Sequence, residues 1–387
     1  MGAFPASVAK VSRPAPLTFY EFFAGGGMTR TGLGPAWTCL FANDFDAAKA
    51  RAYAANFGDR DLKVGDVWDL KAADLPGRAD LAWASSPCQD LSLAGARKGL
   101  SGSRSSAFWG FWSLIEVLDR EGRAPRVIGV ENVTGLLTSH EGRDFTALCA
   151  ALAERGYVFG ALEIDAALFV PQSRPRLFVL ATREAAPGLT SGPGAFHSPA
   201  VRKAYDRLPA ALQAGWRWWS LPEPARRNTV LADVLEPDDA VDWLGAAATA
   251  RLVAQMSPLH RRRLDEALAG GGRTVGTVFR RMRIENGARV QRAEARFDGV
   301  AGCLRTPAGG SSRQFVLVVQ DGEARARLLS PREAARLMGL PDDYRLPASA
   351  TAALHLAGDG VAAAAVRHLA AHLLEPLLAP GASAAAA

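Results

Sequence analysis

Several short residue groups carry side chains able to do chemistry, and each follows an apolar, strand-like run. The first is Pro87-Cys88-Gln89, directly after the run at residues 81–84. A thiol at the carboxyl edge of a strand stands where α/β sheets place their reacting groups. The Ser- and Gly-rich stretch 92–106 that follows reads as a loop closing over a nucleophile. The plainer reading of Cys88 is a buried small hydrophobe. A second group, Phe23-Ala24-Gly25-Gly26-Gly27, is a turn poor enough in side chains for a ligand to lie against the strand end. Asn43-Asp44-Phe45 supplies a carboxylate suited to ribose hydroxyls and a ring suited to covering a base. Gly65-Asp66-Val67 adds a second carboxylate able to accept from an adenine amino group. A tight turn, and for either aspartate a helix cap or a solvated loop carboxylate, are the plainer alternatives. Taken jointly, these groups favour an adenosine-type cofactor, and the lack of a G-x-x-x-x-G-K-[ST] loop argues against a nucleotide triphosphatase. Glu131-Asn132-Val133 and Gln172-Ser173-Arg174-Pro175-Arg176 would bring a carboxyl group and two guanidiniums to the same sheet edge as Cys88.

The elements that must position these groups alternate in type. Strand-like segments at 17–23, 38–42, 81–85, 127–130 and 176–181 are interleaved with helical periodicity at 46–56, 107–118 and 144–155. That is a parallel-sheet α/β pattern. Residues 183–302 carry scattered Pro, Trp and Arg with poor periodicity and few convincing strands, and read as an inserted second domain with Trp216, Trp218 and Trp219 as candidates for its core. Regular patterning returns with a strand at 315–320, a helix opening at Ser330-Pro331-Arg332-Glu333 and an alanine-rich helix at 361–378. The ends, 1–16 and 380–387, read as flexible tails.

Composition narrows the class of partner. The 387 residues carry a net charge of +6, and nearly all of it is local: residues 251–296 hold eleven arginines against four acids. Arg261-Arg262-Arg263 and Arg280-Arg281-x-Arg283 suit phosphates or guanine edges, the alternative being a solvated charged face. The four cysteines are widely separated, which suggests neither a metal site nor a disulfide framework. Apolar stretches are interrupted by charge or glycine short of a membrane span, and residues 1–16 lack the apolar block of a secretory signal, so a soluble cytoplasmic protein is expected.

Pro-Cys-Gln, Glu-Asn-Val and Gln-x-Arg-x-Arg in this order, behind Phe-x-Gly-x-Gly, resemble the DNA (cytosine-5)-methyltransferase family of bacterial type. The run Pro331–Gly339 resembles the family's penultimate motif and Gly358-Asp359-Gly360-Val361 its last. The resemblance covers residues 17–182 and 300–378 and implies a Rossmann-like methyltransferase sheet with an inserted smaller target-recognition domain. The boundaries it implies are 17–183 and 301–379 for the catalytic domain and 184–300 for the insert. It implies S-adenosylmethionine as cofactor and duplex DNA as substrate, bound by a monomer whose cognate restriction endonuclease, if any, acts separately. Cys88 would add to cytosine C6, Glu131 would hydrogen-bond the base, Arg176 would bind its O2, and Arg174 would support the site. Phe23, Gly25, Gly27, Asp44, Phe45, Asp66, Val67, Pro87, Asp359 and Gly360 would hold the cofactor. Gln89, Ser92 and Arg104 would touch DNA from the closing loop, with Arg261, Arg262, Arg263, Arg280 and Arg281 in the insert. Met28, Ser86 and Asp359 depart from the family pattern, which commonly has glycine, proline or phenylalanine, and asparagine at these places. A tRNA cytosine methyltransferase, a catalytically silent DNA-binding module and a nicotinamide oxidoreductase are the competing readings.

Overall fold

The computed structural model describes residues 16–87, 107–306 and 313–379, so Cys88, Gln89, Ser92 and Arg104 lie outside the described residues. Seven strands form the larger sheet: β1 (Leu17–Phe22), β2 (Trp37–Asp44), β3 (Leu62–Val64), β4 (Leu81–Ser85), β5 (Val127–Asn132), β6 (Val158–Asp165) and β7 (Pro175–Thr182). Their order is β3-β2-β1-β4-β5-β7-β6. The first five pair in parallel, whereas β7 runs antiparallel to both β5 and β6. The connection from β6 to β7 is too short for the helical crossover that a parallel pair requires.

Successive strand side chains point to opposite faces, so the sheet feeds two cores. Phe19, Leu81, Trp83, Phe178 and Leu180 enter one; Tyr20, Phe22, Ala82, Ile128 and Val179 enter the other. Helices α1 (Met28–Leu33) and α2 (Ala47–Phe57) contribute to the first core, and α3 (Ala107–Arg120) and α4 (Arg143–Glu154) cover the second. With both faces covered, the central strands need no polar face, which is why β4 and β5 are buried almost throughout.

After β7 the chain runs along the larger sheet through α5 (Pro199–Asp206) and α6 (Ala210–Ala214). Trp216 meets Phe145 and Phe159 edge-on, and Trp219 donates its indole N–H to the Leu180 carbonyl at 3.2 Å. The sequence offers Trp216, Trp218 and Trp219 as candidates for the core of the insert. They serve the larger domain instead, because β6 is an edge strand and Trp216 bridges to Phe159 along it, covering backbone that would otherwise be unpaired.

The smaller domain comprises α7 (Ala246–Ala254), α8 (Pro258–Ala269), β8 (Thr274–Glu285), β9 (Ala288–Arg296), β10 (Phe315–Gln320) and β11 (Glu323–Leu328), the strands in the order β11-β10-β8-β9. Long strands β8 and β9 occupy a stretch the sequence reading held to be poor in strands. The missed signal is Asn286-Gly287, whose φ values of 49° and 80° are those of the two-residue turn that matches strand twist in a hairpin. β10 and β11 follow residue 300 yet complete this sheet. Val278, Ala293, Ala295 and Leu317 on one face pack with Leu252 and Leu264 from α7 and α8. Val275, Val316 and Val318 on the other face join the core of the larger domain.

The chain returns to the larger domain through α9 (Pro331–Leu337), α10 (Ala350–Asp359), α11 (Ala363–Leu369) and α12 (Glu375–Leu378). By length and composition alone Ala350–Leu378 is sufficient to cross a membrane, a longer apolar run than the sequence reading recognised. The run is broken between α10 and α11, and Leu356, Val366, Leu369, Leu373 and Leu377 are buried in the first core beside α1. Its apolarity is that of core helices.

Candidate active site

The order of strands reverses between β1 and β4, and in such sheets ligands bind beyond the carboxyl ends of the strands at that point. β1 ends in Phe23, Gly25 and Gly27, all with positive φ (58°, 56° and 76°). Gly25 donates its amide N–H to Asp44 Oδ2 at 2.7 Å, and Asp46 donates to Asp44 Oδ1 at 2.8 Å. Two backbone amides therefore aim the Asp44 carboxylate while leaving lone pairs on both oxygens. Burial pushes its pKa up, and those same amides oppose the shift. No atom outside its chain neighbours lies within 4 Å of where a side chain on Gly25 would begin, and Phe45, next along the chain from Asp44, is 76% exposed. An open floor, an aimed carboxylate and an uncovered ring fit the adenosine end of S-adenosylmethionine.

The other members of the proposed cofactor set are held in different ways. Asp66 caps the turn that follows, accepting from Trp68 N–H at 3.0 Å, and Val67 is buried in contact with α3 at Gly110. Pro87 is exposed at the end of the described segment. Asp359 pairs with Lys49 Nζ at 2.6 Å and accepts from the Thr306 hydroxyl. A side chain on Gly360 would collide with Met28, so the methionine that replaces the usual glycine is accommodated by a glycine opposite it.

At the next two strand ends stand the groups expected to handle the base. Glu131 pairs in register with Ser85, three residues before Cys88. The glutamate is buried, with Arg176 Nε 3.3 Å from Oε1. Burial drives its pKa up, and the nearby charges of Arg176 and Arg174 pull against that shift. Asn132 donates its amide to Ser86 O at 3.2 Å and Ser86 Oγ at 3.1 Å. The Glu-Asn pair thus presents a carboxyl group and tethers the strand end that leads to Cys88. Ser86, a departure from the family pattern, is half of that tether.

Arg174 occupies a different place from Arg176. Completely buried, it donates to Leu304 O at 2.9 Å, Gly358 O at 2.8 Å and Gly360 O at 2.7 Å. Desolvation lowers its pKa to about 10, with the charge of Arg176 adding to the effect. It braces the chain leaving β8–β9 and the α10–α11 junction against β7. Gln172 acts similarly, donating to Leu337 O at 2.6 Å and accepting from Leu304 N–H at 3.0 Å.

Sequence reasoning missed Tyr344, whose hydroxyl donates to Gly26 O at 2.6 Å and fixes the glycine turn from below. It also missed Glu21, fully buried beneath the same turn, with no hydrogen bond of normal geometry to either carboxylate oxygen. Burial is the leading influence on Glu21 and raises its pKa from 4.5 to about 8, against the opposing charge of Arg30. An acid with a raised folded-state pKa destabilises the fold as pH rises from the unfolded value towards the folded one. Melting temperature should therefore decline between about pH 4.5 and pH 8 and then level off. Glu21→Gln should remove most of that decline, worth roughly a few kcal/mol. An unchanged pH slope in calorimetric melts would show that Glu21 is not its source.

The basic residues of the insert divide by face. Arg261 pairs with Asp265 at 2.9 Å and Arg263 donates to Ala295 O at 3.3 Å, both on α8, whose Leu264 packs on the sheet face turned from the larger domain. Arg262 is exposed on the same helix. The Arg280 guanidinium lies 5.1 Å from the Phe315 ring centre, while Arg281 pairs with Glu294 at 3.3 Å. Among the described residues no group of three or more His, Cys, Asp or Glu side chains is placed to hold a metal ion.

A parallel-rich sheet closed by an antiparallel hairpin, with an aimed acid and an aromatic ring beyond its switch point, defines an S-adenosylmethionine-dependent methyltransferase. The profile of the C-5 cytosine-specific DNA methylase family matches residues 17–375, and the chain belongs to that family. It is a DNA cytosine-5-methyltransferase, and DNA is the substrate of its family. Among its relatives, type II methyltransferase M.SsoII of Shigella sonnei is 27% identical over 366 residues, covering 92% of this chain and 80% of the relative. Type II methyltransferase M.HhaI of Haemophilus parahaemolyticus is 25% identical over 361 residues, covering 92% and 93%. The crystal structure of the S. pombe Dnmt2 methyltransferase shares the fold, with a TM-score of 0.59 at 17% identity, covering 94% of this chain and all of that one.

Proposed function

We propose that the chain methylates C5 of a cytosine extruded from a specific duplex sequence, through a covalent bond between Cys88 and C6. The observation that carries the reading is the buried Glu131, set beside Arg176 and in register with the strand end leading to Cys88. A base inside a duplex cannot reach that depth, and extrusion costs roughly a few kcal/mol, recovered through contacts to the base edge. The Cys88 thiolate forms the S–C6 bond, and the ring electrons move to C5, making it nucleophilic. S-adenosylmethionine, held at Asp44 and the glycine turn, would supply the electrophilic methyl group, its sulfonium sulfur keeping the bonding pair and departing as the neutral thioether S-adenosylhomocysteine. C5 gains that methyl group, then loses its proton to solvent as the S–C6 bond breaks and the thiolate leaves. Glu131 in its neutral form donates to N3 and accepts from the exocyclic amine, stabilising charge that builds on the ring. Arg176 takes O2, and Arg174 positions the surrounding segments without touching the base.

On this reading the protein works as a cytoplasmic monomer on duplex DNA, and any cognate restriction endonuclease acts separately. The type II names of its relatives support that setting. Conversion sequencing of DNA from a methylation-free host expressing the chain should reveal 5-methylcytosine at one recurrent sequence. Unmarked DNA together with methylated tRNA from the same cells would overturn the reading.

A further inference from the structure

β8 and β9 continue well beyond the sheet that anchors them. β10 pairs with β8 only over Thr274–Val278, and β9 is held on its other side as far as Ala293, whose N–H donates to Gln255 O, so from Arg281 outward the two strands continue as a ribbon with no further strand beside it among the described residues. The five residues Arg281–Glu285 at ~3.3 Å each carry its tip ~16 Å beyond that point. The ribbon begins beside the larger domain, since Phe279 lines a common cavity with Leu304, Leu329 and Ala334 and sits against Gly302. By strand alternation Arg281 and Arg283 share the face of Phe279, and Glu294 lies directly across from it.

On this face the charges are layered. Glu294 receives Arg283 Nε at 2.7 Å and Arg281 Nε at 3.3 Å. Its side chain is only 18% exposed, whereas those of Arg281 and Arg283 are 42% and 49% exposed. The carboxylate therefore lies beneath two guanidiniums and steadies them while their outer edges face solvent. A steadied fork loses less freedom on binding and suits the bidentate contact with guanine O6 and N7 in the major groove, which admits a two-stranded ribbon. The arginines of α8, by contrast, cover the opposite side of the sheet.

We propose that Arg281 and Arg283, braced by Glu294 on the ribbon face turned towards the larger domain, read guanine in the target duplex and set the sequence preference of methylation. The inference rests on duplex DNA being the substrate. Its test is kept independent of catalysis: duplexes bound from a randomised pool are selected and sequenced with wild-type protein and variants. Arg281→Gln with Arg283→Gln should erase preference for at least one G·C pair and weaken binding to the selected duplex by at least about tenfold. Binding to a scrambled duplex should fall far less. Glu294→Gln should relax the same position while tightening binding to scrambled DNA, because it removes a negative charge and releases the fork. Uniform weakening with unchanged preference in the arginine variant would reduce the pair to phosphate contacts and overturn the proposal. So would relaxed preference in Arg261→Gln with Arg262→Gln but not on the ribbon. A tighter but equally selective Glu294→Gln would show that the brace has no part in reading. Failure of DNA methylation with a sequence preference retained in selection would sink the proposed reaction and leave this assignment standing.

Discussion

Cys88→Ala should abolish methyl transfer, a loss of at least about 10⁴-fold, while leaving binding of duplex DNA within a few-fold of wild type. The size of the effect follows from the chemistry. Cytosine C5 is too weak a nucleophile to take a methyl group until a bond at C6 pushes electrons onto it, and alanine cannot form that bond. Cys88 lies outside the described residues, yet its anchor is defined: β4 delivers Ser85 beside Glu131, and Asn132 fastens Ser86. None of the other cysteines can substitute. Cys39 and Cys149 are buried, with burial pushing the Cys39 thiol up to about 12 and Cys149 higher still, and Cys303 is contacted by the brace Arg174. Transfer of labelled methyl groups to duplex DNA, measured alongside gel-shift binding, checks this. A variant retaining a tenth of wild-type turnover would remove covalent catalysis from the account.

The sequence exposed the larger domain because its rules are local. The parallel strands β2 and β5 are largely apolar runs ending in Asp44 and Glu131, and Arg176 opens the antiparallel β7, so all three groups fall on one edge and can be placed there by position along the chain. What local rules do not carry is the partner across space. Arg174 and Arg176 are two residues apart on one strand end, and nothing in their spacing shows that one is buried among three carbonyls while the other lies beside Glu131. The same holds for Tyr344, which fastens the glycine turn from more than 300 residues along the chain, and for Glu21, whose complete burial shows only in three dimensions. The tryptophans of the insert misled because an aromatic cluster marks a core without saying whose. In the smaller domain Asn286-Gly287 is a legible hairpin signal, but the arginines around it also fit a solvated charged face, and their spacing does not show that Glu294 lies beneath them.

Glu131→Gln should lower the rate of methyl transfer by about 10²–10⁴-fold with little change in DNA affinity, and it should also change the shape of the pH profile. Cytosine N3 is a hydrogen-bond acceptor, so a carboxylate facing it is repelled and a neutral carboxyl group is the useful form. Burial favours that form by raising the pKa of Glu131, while the charge of Arg176 at 3.3 Å limits the rise. Activity that needs the proton is retained below the raised pKa and lost as pH climbs through it. The wild-type rate should therefore fall on the alkaline side with a midpoint above the usual carboxylate range. Glutamine presents the same pattern of donor and acceptor to the base edge but cannot give up a proton as charge develops, which separates binding from rate. Its residual activity should lack the alkaline limb. Single-turnover rates across the pH range, set beside equilibrium binding of duplex and cofactor, test both parts. A glutamine variant keeping the wild-type pH profile would assign the titration to another group, and one with a near-normal rate would reduce Glu131 to a positioning contact.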